Sequence, residues 1–230
     1  AKIINREDDD SKEILKRLLL KRKQIIHKAR NKKDIFQNIL KEHLDKTGTL
    51  KYTLVYVPEG NKPDDYTADI FDSYDMIKDD EDTVHLINEY TSIVRDLDSH
   101  IVVRQFTSES SDRDAMLKDF ANGSIDVLTS MKCLDEGVDV PRSELAIFCA
   151  STGNPRQFIQ RRGRVLRTHA EKKYAIIHDL VVIPDNNFDP SCQDIEKNLV
   201  ANEIRRVRDV AVLSENCNDT LNVLDDILEQ

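Results

Sequence analysis

The chain has 230 residues, with 34 Lys+Arg against 43 Asp+Glu, a formal net charge of −9, 39% hydrophobic and 33% charged residues, and no Trp. That length can bury a core without disulfides, as one large domain or as a domain with helical flanks, since domains cluster at roughly 100–200 residues. The apolar fraction excludes a disordered chain, and the longest clean apolar runs, such as Leu145 to Ala150, fall far short of the roughly 20 residues of a membrane span, so no membrane partner is expected.

No signal or transit peptide is recognisable at the start, and opening on Ala1 rather than Met points to processing or excision. Cys133, Cys149, Cys192 and Cys217 form no C-x-x-C pair and have no accompanying His-x-x-x-His. Free thiols in a reducing cytoplasm, and no metal site, are the expectation. The charge is unevenly placed. Residues 12–33 hold ten basic residues and one acid, Glu13; residues 61–98 hold twelve acids against Lys62, Lys78 and Arg95; residues 156–173 hold seven basic residues and one acid, Glu171. The total of −9 therefore averages two basic segments and one acidic one.

In chain order, residues 10–46 are predicted as one helix. Ile14, Leu15, Leu18, Leu19, Ile25, Ile26, Ile35, Ile39 and Leu40 recur at helical spacing, Asp10 or Ser11 could cap its start, and Gly48 follows its end. Thr53 to Val57 is a β-branched strand closed by Pro58. Residues 61–82 are Asp-rich and read as a loop or insertion. Residues 83–97 show helical apolar spacing, and Ile101 to Phe106 is a strand. A short helix runs from Ser111 to Ala121, capped by Ser111 or Asp112 and stopped by Asn122-Gly123. Ile125 to Ser130 and Leu145 to Ala150 are strands. Pro155 opens a basic helix reaching about Leu166, the first-turn position that suits proline. Tyr174 to Ile183 holds a last strand, and two helices near 192–213 and 218–229 finish the chain. Strands and helices thus alternate from 53 to 183, the pattern of βαβ crossovers in a mostly parallel sheet with helices on both faces.

In such sheets ligands meet the loops beyond the carboxyl ends of the strands. Two segments there carry chemistry. Met131 to Pro141 (MKCLDEGVDVP) gathers Asp135, Glu136 and Asp139 around Gly137. A salt link from Asp135 or Glu136 to Arg161 or Arg162 is one structural reading of those acids. Ser151 to Arg167 (STGNPRQFIQRRGRVLR) sets Gln160, Arg161, Arg162, Arg164 and Arg167 along one helix. Arg164 and Arg167, three apart, would share a face with Gln160 and form a guanidinium fork matched to phosphate oxygens, with Gly163 keeping the surface low. Phe158 and Ile159 read as core anchors of that helix.

These two segments resemble motifs V and VI of superfamily-two helicases and translocases, written roughly D-E-G-x-D-x-P and Q-x-x-G-R-x-x-R. Thr53 to Gly60 is similar to the motif IV strand. Gln105 to Ser130 resembles the stretch between motifs IV and V, with its polar turn, its helix ending F-x-x-G and its strand ending in Ser. The resemblance covers about residues 50–183 in the family's order and spacing, and its flavour is nearest the XPB-like and restriction-subunit helicases. It implies a RecA-like parallel sheet with N- and C-terminal helical flanks: a helical segment over 1–49, the helicase C-terminal domain over 50–184, and a helical tail over 185–230.

The resemblance also implies roles at matching positions. Arg164 and Arg167 would be arginine fingers on the γ-phosphate of ATP, where a preorganised guanidinium stabilises charge as it grows. Gln160 would report the nucleotide state, and Asp139 would approach the ribose with Gly137 beside it. Gln105, Thr107, Ser108, Thr129 and Ser130 would touch nucleic-acid backbone, positioning a strand without reading its sequence. The chain has no G-x-x-x-x-G-K-[ST], and Asp135-Glu136 sits in motif V rather than in a Walker B position. The resemblance therefore implies the second motor domain of an ATP-dependent DNA helicase or translocase. Its partner would be a missing N-terminal RecA-like domain that holds Mg²⁺, and restriction or repair subunits are further candidates. DNA is favoured over RNA. The isolated chain is expected to hydrolyse no ATP. A non-catalytic RecA-like interaction module and an RNA helicase domain are the alternatives.

Overall fold

Strand-forming and helix-forming segments do alternate as their patterns require, and the order they take builds one parallel sheet. The computed structural model describes residues 14, 25–29, 31–58, 80–107, 109–131, 140, 142–149, 155–183 and 193–228. Two compact units divide the chain, residues 1–180 and 181–230. The first contains α1 (Lys32–Thr47), β1 (Thr53–Tyr56), α2 (Asp80–Arg95), β2 (Val103–Phe106), α3 (Arg113–Ala121), β3 (Val127–Ser130), β4 (Leu145–Phe148), α4 (Pro155–Val165) and β5 (Ile176–Asp179). The second contains α5 (Gln193–Ala211) and α6 (Cys217–Leu228).

The strand order is β2-β3-β1-β4-β5, with every neighbouring pair parallel. The register puts Phe106, Ser130, Tyr56, Phe148 and Asp179 in one row at the carboxyl edge. This is the expected RecA-like arrangement of a parallel sheet with helices on both faces. On one face, Val55, Val127, Leu145 and Ile147 meet Leu86, Ile87, Tyr90 and Val94 of α2 and Phe36 and Leu40 of α1. Phe36 and Tyr90 meet edge to face, with ring centroids 5.0 Å apart. The other face carries α3 and α4. The Arg113 guanidinium lies over the Phe106 ring at 4.7 Å, and that of Arg161 over Tyr56 at 5.4 Å. β1, β3 and β4 are buried throughout, whereas β5 at the sheet edge is half-exposed.

The single helix predicted over 10–46 is corrected by the structure. A helical turn at 25–27 ends at Lys28, and α1 starts afresh at Lys32 after Asn31. Lys32 bridges the break. It is only 4% exposed, and its ammonium donates to the Ile26 carbonyl at 3.1 Å, satisfying an acceptor that a continuous helix would have bonded through its backbone. Gly48, at φ 71°, ends α1 in the left-handed conformation with its amide on the Leu44 carbonyl. The acidic stretch expected as an insertion over 61–82 overlaps α2 at Asp80, Glu81 and Asp82, where negative charge suits a helix N-terminus. The rest of that stretch lies outside the described residues. Asp112, one of the two candidate caps, caps α3 by accepting from the Ala115 amide at 3.2 Å.

In the second unit, α5 and α6 form a helical hairpin joined by residues 212–216, with Arg208 paired to Asp225 at 2.9 Å. No helix among the described residues is long and apolar enough to cross a membrane.

Candidate functional site

α4 begins beyond the carboxyl end of β4 and runs back towards the amino edge, as the crossover between two adjacent parallel strands must. The arginines with described side chains on α4 and just past its end have different fates. Arg161 is 4% exposed and turned inward over Tyr56, whose ring stacks on Phe148 with centroids 4.7 Å apart. Val165, one turn later, is fully buried. Arg162 and Arg164 are half-buried, and Arg167 is exposed.

The expected face shared by Arg164 and Arg167 needs correction. α4 stops at Val165, so Arg167 lies past its end. A tighter turn follows, with the Arg167 amide on the Arg164 carbonyl at 3.4 Å and the Leu166 amide on the Arg162 carbonyl at 2.9 Å. Gly163 is open as expected, with nothing within 4 Å of where a Cβ would stand. Ile159, predicted as a core anchor, is instead 56% exposed, while Arg161 and Val165 of the same helix are buried. Gln160 lies on α4, and its side chain is outside the described residues, as are Phe158, Asp135, Glu136, Gly137 and Asp139.

The residues expected to touch nucleic acid divide differently. Thr129 is fully buried, and its hydroxyl lies 2.9 Å from that of Thr91 on α2. Gln105 donates to the Asn88 carboxamide oxygen at 2.8 Å and to the Thr91 hydroxyl at 3.1 Å. Thr91 in turn donates to the Ile87 carbonyl at 2.6 Å. Thr129 and Gln105 therefore belong to a network stitching β2 and β3 to α2, and Thr129 offers no hydroxyl to a strand outside. Ser130 is also fully buried, with its hydroxyl on the Met131 carbonyl at 3.0 Å. Thr107 keeps a half-exposed position in a turn that Ser110 closes, the Ser110 hydroxyl accepting from the Thr107 amide at 2.9 Å. Ser108 is outside the described residues. The sequence alone could not separate these cases, because a hydroxyl at a strand end reads alike whether it faces a helix or solvent.

Two elements of the site carried no sequence signal. Lys172 donates to the Val165 carbonyl at 2.6 Å, capping α4 from seven residues downstream. Burial lowers its ammonium below the usual lysine value, and Glu144 partly offsets this. Tyr52, just before β1, has φ 62°, and the Arg142 guanidinium lies over its ring at 4.2 Å. Among the described residues no group of three His, Cys, Asp or Glu side chains could hold a metal ion.

Residues 67–169 match the helicase conserved C-terminal domain family. Over those residues the chain carries a helicase conserved C-terminal domain. Among characterised proteins, this domain is similar to the "DNA 3'-5' translocase XPB2" of Sulfurisphaera tokodaii, 38% identical over 73 residues, or 32% of this chain and 16% of that protein. It is also similar to the "Dicer-like protein 2" of Phaeosphaeria nodorum, 31% identical over 108 residues, or 46% of this chain and 7% of that protein. The chain thus spans less than a fifth of the length of either relative. Among solved structures, the Pyrococcus furiosus Hef helicase domain shares 20% identity over 71% of this chain and 28% of its own, with a TM-score of 0.41.

Proposed function

We propose that the helicase C-terminal domain of this chain is the second motor domain of an ATP-dependent DNA helicase or translocase. Its work would be to present Arg164 and Arg167 to a nucleotide held on an N-terminal RecA-like domain that also holds Mg²⁺. The observation that carries this reading is the division of labour on α4. Arg161 and Val165 anchor the helix to the sheet, while Arg164 and Arg167 remain at or near the surface in its last turn and just beyond. Bound ATP supplies a γ-phosphoryl group on which negative charge builds during transfer. Arg164 and Arg167 would stabilise that charge, with Gln160 alongside and Gly137 and Asp139 near the ribose.

Nucleic-acid contact would fall to the turn at Thr107 and Ser108, since Gln105, Thr129 and Ser130 are committed to the scaffold. Contacts of this kind meet phosphate and sugar, so binding by residues 1–230 would be weak and strongly salt-dependent. DNA is the favoured substrate, supported by the name of the translocase relative. The helical segment 1–49 and the tail 185–230 would flank the motor domain 50–184, in a cytoplasmic enzyme of restriction or repair.

The experiment is nucleic-acid-stimulated ATP hydrolysis by the longer protein carrying this domain. Arg164→Ala is expected to abolish stimulated turnover while largely sparing ATP binding; unchanged turnover counts against the finger role. Residues 1–230 alone are expected to hydrolyse no ATP above background, and robust hydrolysis by them would sink the proposal of an incomplete cleft.

A further inference from the structure

α4 ends without the glycine that commonly closes a helix in the left-handed conformation. Its last carbonyls need other partners, and one of them, Val165, takes the Lys172 ammonium at 2.6 Å. A cation at that end of a helix also meets the negative pole of the aligned peptide dipoles.

Lys172 is held in place by its own turn. Its amide donates to the His169 carbonyl at 3.1 Å, the two residues form an isolated antiparallel bridge, and the Glu171 amide donates to His169 Nδ1 at 3.3 Å. The turn is moored to the sheet. The Glu171 carboxylate pairs with the Arg142 guanidinium, which lies over the Tyr52 ring at 4.2 Å. The Tyr52 carbonyl accepts from the Glu144 and Leu145 amides at 2.9 and 3.4 Å, fixing the starts of β1 and β4 to each other. Tyr52 holds a left-handed φ of 62° to do so, a conformation that costs an aromatic residue about 1–2 kcal/mol and persists only where its surroundings enforce it. A continuous chain of contacts therefore runs from the central strands through Tyr52, Arg142, Glu171 and Lys172 to the last carbonyl of α4. Arg164 and Arg167 flank that carbonyl.

We propose that Lys172 is a positioning residue, whose ammonium caps α4 and, moored through Glu171, Arg142 and Tyr52, sets the direction of Arg164 and Arg167. This rests on the reading of those arginines as phosphate ligands. Lys172 itself touches no nucleotide; it acts through the backbone of the helix turn that carries the arginines.

The test uses residues 1–230 with Lys172→Met, which keeps the apolar stem and removes the ammonium, and Lys172→Arg, which keeps a cationic donor. Amide hydrogen exchange at Leu166 and Arg167 reports the last turn, with α3 as the internal control. Lys172→Met is expected to speed exchange at those two amides by about tenfold while leaving α3 unchanged, and Lys172→Arg to restore most of the protection. Glu171→Gln, which cuts the mooring and spares the cap, should give a smaller rise at the same amides. Unchanged exchange in Lys172→Met, or no rescue by Lys172→Arg, overturns the capping role. A second measurement titrates inorganic tripolyphosphate and follows the Arg164 and Arg167 side-chain Nε–H signals. Shifts that weaken severalfold in Lys172→Met and recover in Lys172→Arg support the positioning role; shifts that Lys172→Met leaves intact overturn it. If tripolyphosphate moves neither arginine in the unaltered chain, the phosphate reading falls and the positioning of ligands falls with it, while the exchange result decides the cap independently.

Discussion

On one face of the sheet, α2 turns Leu86, Ile87, Tyr90 and Val94 inward and commits Asn88 and Thr91 to hydrogen bonds from Gln105 and with Thr129. On the opposite face, the described side chains that α4 buries are Arg161 and Val165, while Ile159 is left open beside the half-buried Arg162 and Arg164. Both helices are amphipathic crossovers of similar use in the chain, yet α2 seats a threonine hydroxyl against the sheet and α4 an arginine. The difference lies in what each inward stripe is made of. Four apolar residues at helical spacing bury one stripe of α2, and the Thr91 hydroxyl, buried beside them, finds its partners inside, while Asn88 stays exposed. Among its described side chains, α4 instead buries an arginine and one valine.

The largest expected effect comes from breaking the deep side of this comparison. Tyr90→Ala removes a buried ring that meets Phe36 edge to face and lies among Leu86, Ile87 and Val94. A destabilisation of about 3–5 kcal/mol in urea denaturation is expected, from lost transfer energy and the cavity left behind. A cost under about 1 kcal/mol would mean that α2 is held by this ring far less than its burial indicates.

Thr91→Val is a finer cut through the same helix. It keeps the side-chain shape and deletes the hydroxyl that joins Gln105, Thr129 and the Ile87 carbonyl. The expected cost is about 1–2 kcal/mol, because the fully buried Thr129 hydroxyl loses its partner at 2.9 Å, while Gln105 keeps its bond to Asn88. A neutral result would remove the basis for assigning Gln105 and Thr129 to the scaffold.

How far the sequence reached follows the same division. Short apolar runs placed all five strands, three of them buried throughout, and helical spacing placed α2, because burial on both faces of a strand and on one face of a helix each leave their own pattern. Asn122-Gly123 marked the end of α3, and Pro155 opens α4, because those residues restrict the backbone wherever they stand. The break before α1 was hidden, as a buried lysine bonding a carbonyl looks like one more basic residue in a basic run. On α4, motif spacing found the arginines but gave them one face. It could not show that Arg161 turns inward, that the helix stops at Val165, or that Lys172 caps it, because those outcomes depend on Tyr56 and Arg142, which are distant in sequence. Thr129 and Thr107 read alike in the chain, and only the position of α2 separates the buried hydroxyl from the half-exposed one.

A titration sharpens the contrast at the sheet edge, where β5 is less buried than the central strands. His178 on β5 is held below its ordinary value by burial first, then by His43 and Lys46 of α1, with Glu42 opposing. His43 is lowered as well, by burial and by Lys46. Both are thus harder to protonate in the folded state, and the unfolded chain binds more protons near pH 6.5. Their contribution to stability is fully present above the unfolded value and is lost as pH falls through the depressed folded values. The urea midpoint should therefore drop between pH 7.5 and 5.5, and His178→Gln should flatten that drop; an equal drop in both proteins would assign the pH dependence to other groups.

The smallest expected effect tests whether charge helps hold α1 onto α2. Lys33 and Glu89 approach to 2.7 Å, and His85 lies 3.5 Å from the same carboxylate oxygen. The short distance suggests a strong tie, but the two paired side chains are 41% and 32% exposed, so water screens the attraction and both chains lose rotamer freedom to make it. Phe36 and Leu40, wholly buried against Tyr90 and its neighbours, hold α1 by removing apolar surface from water instead. Glu89→Gln is accordingly expected to cost about 0.5 kcal/mol or less, and raising the salt concentration should reduce that difference further. A larger, salt-insensitive cost would mean that the ion pair is more deeply desolvated than its exposure indicates, and that α1 depends on charge as well as on its aromatic contact.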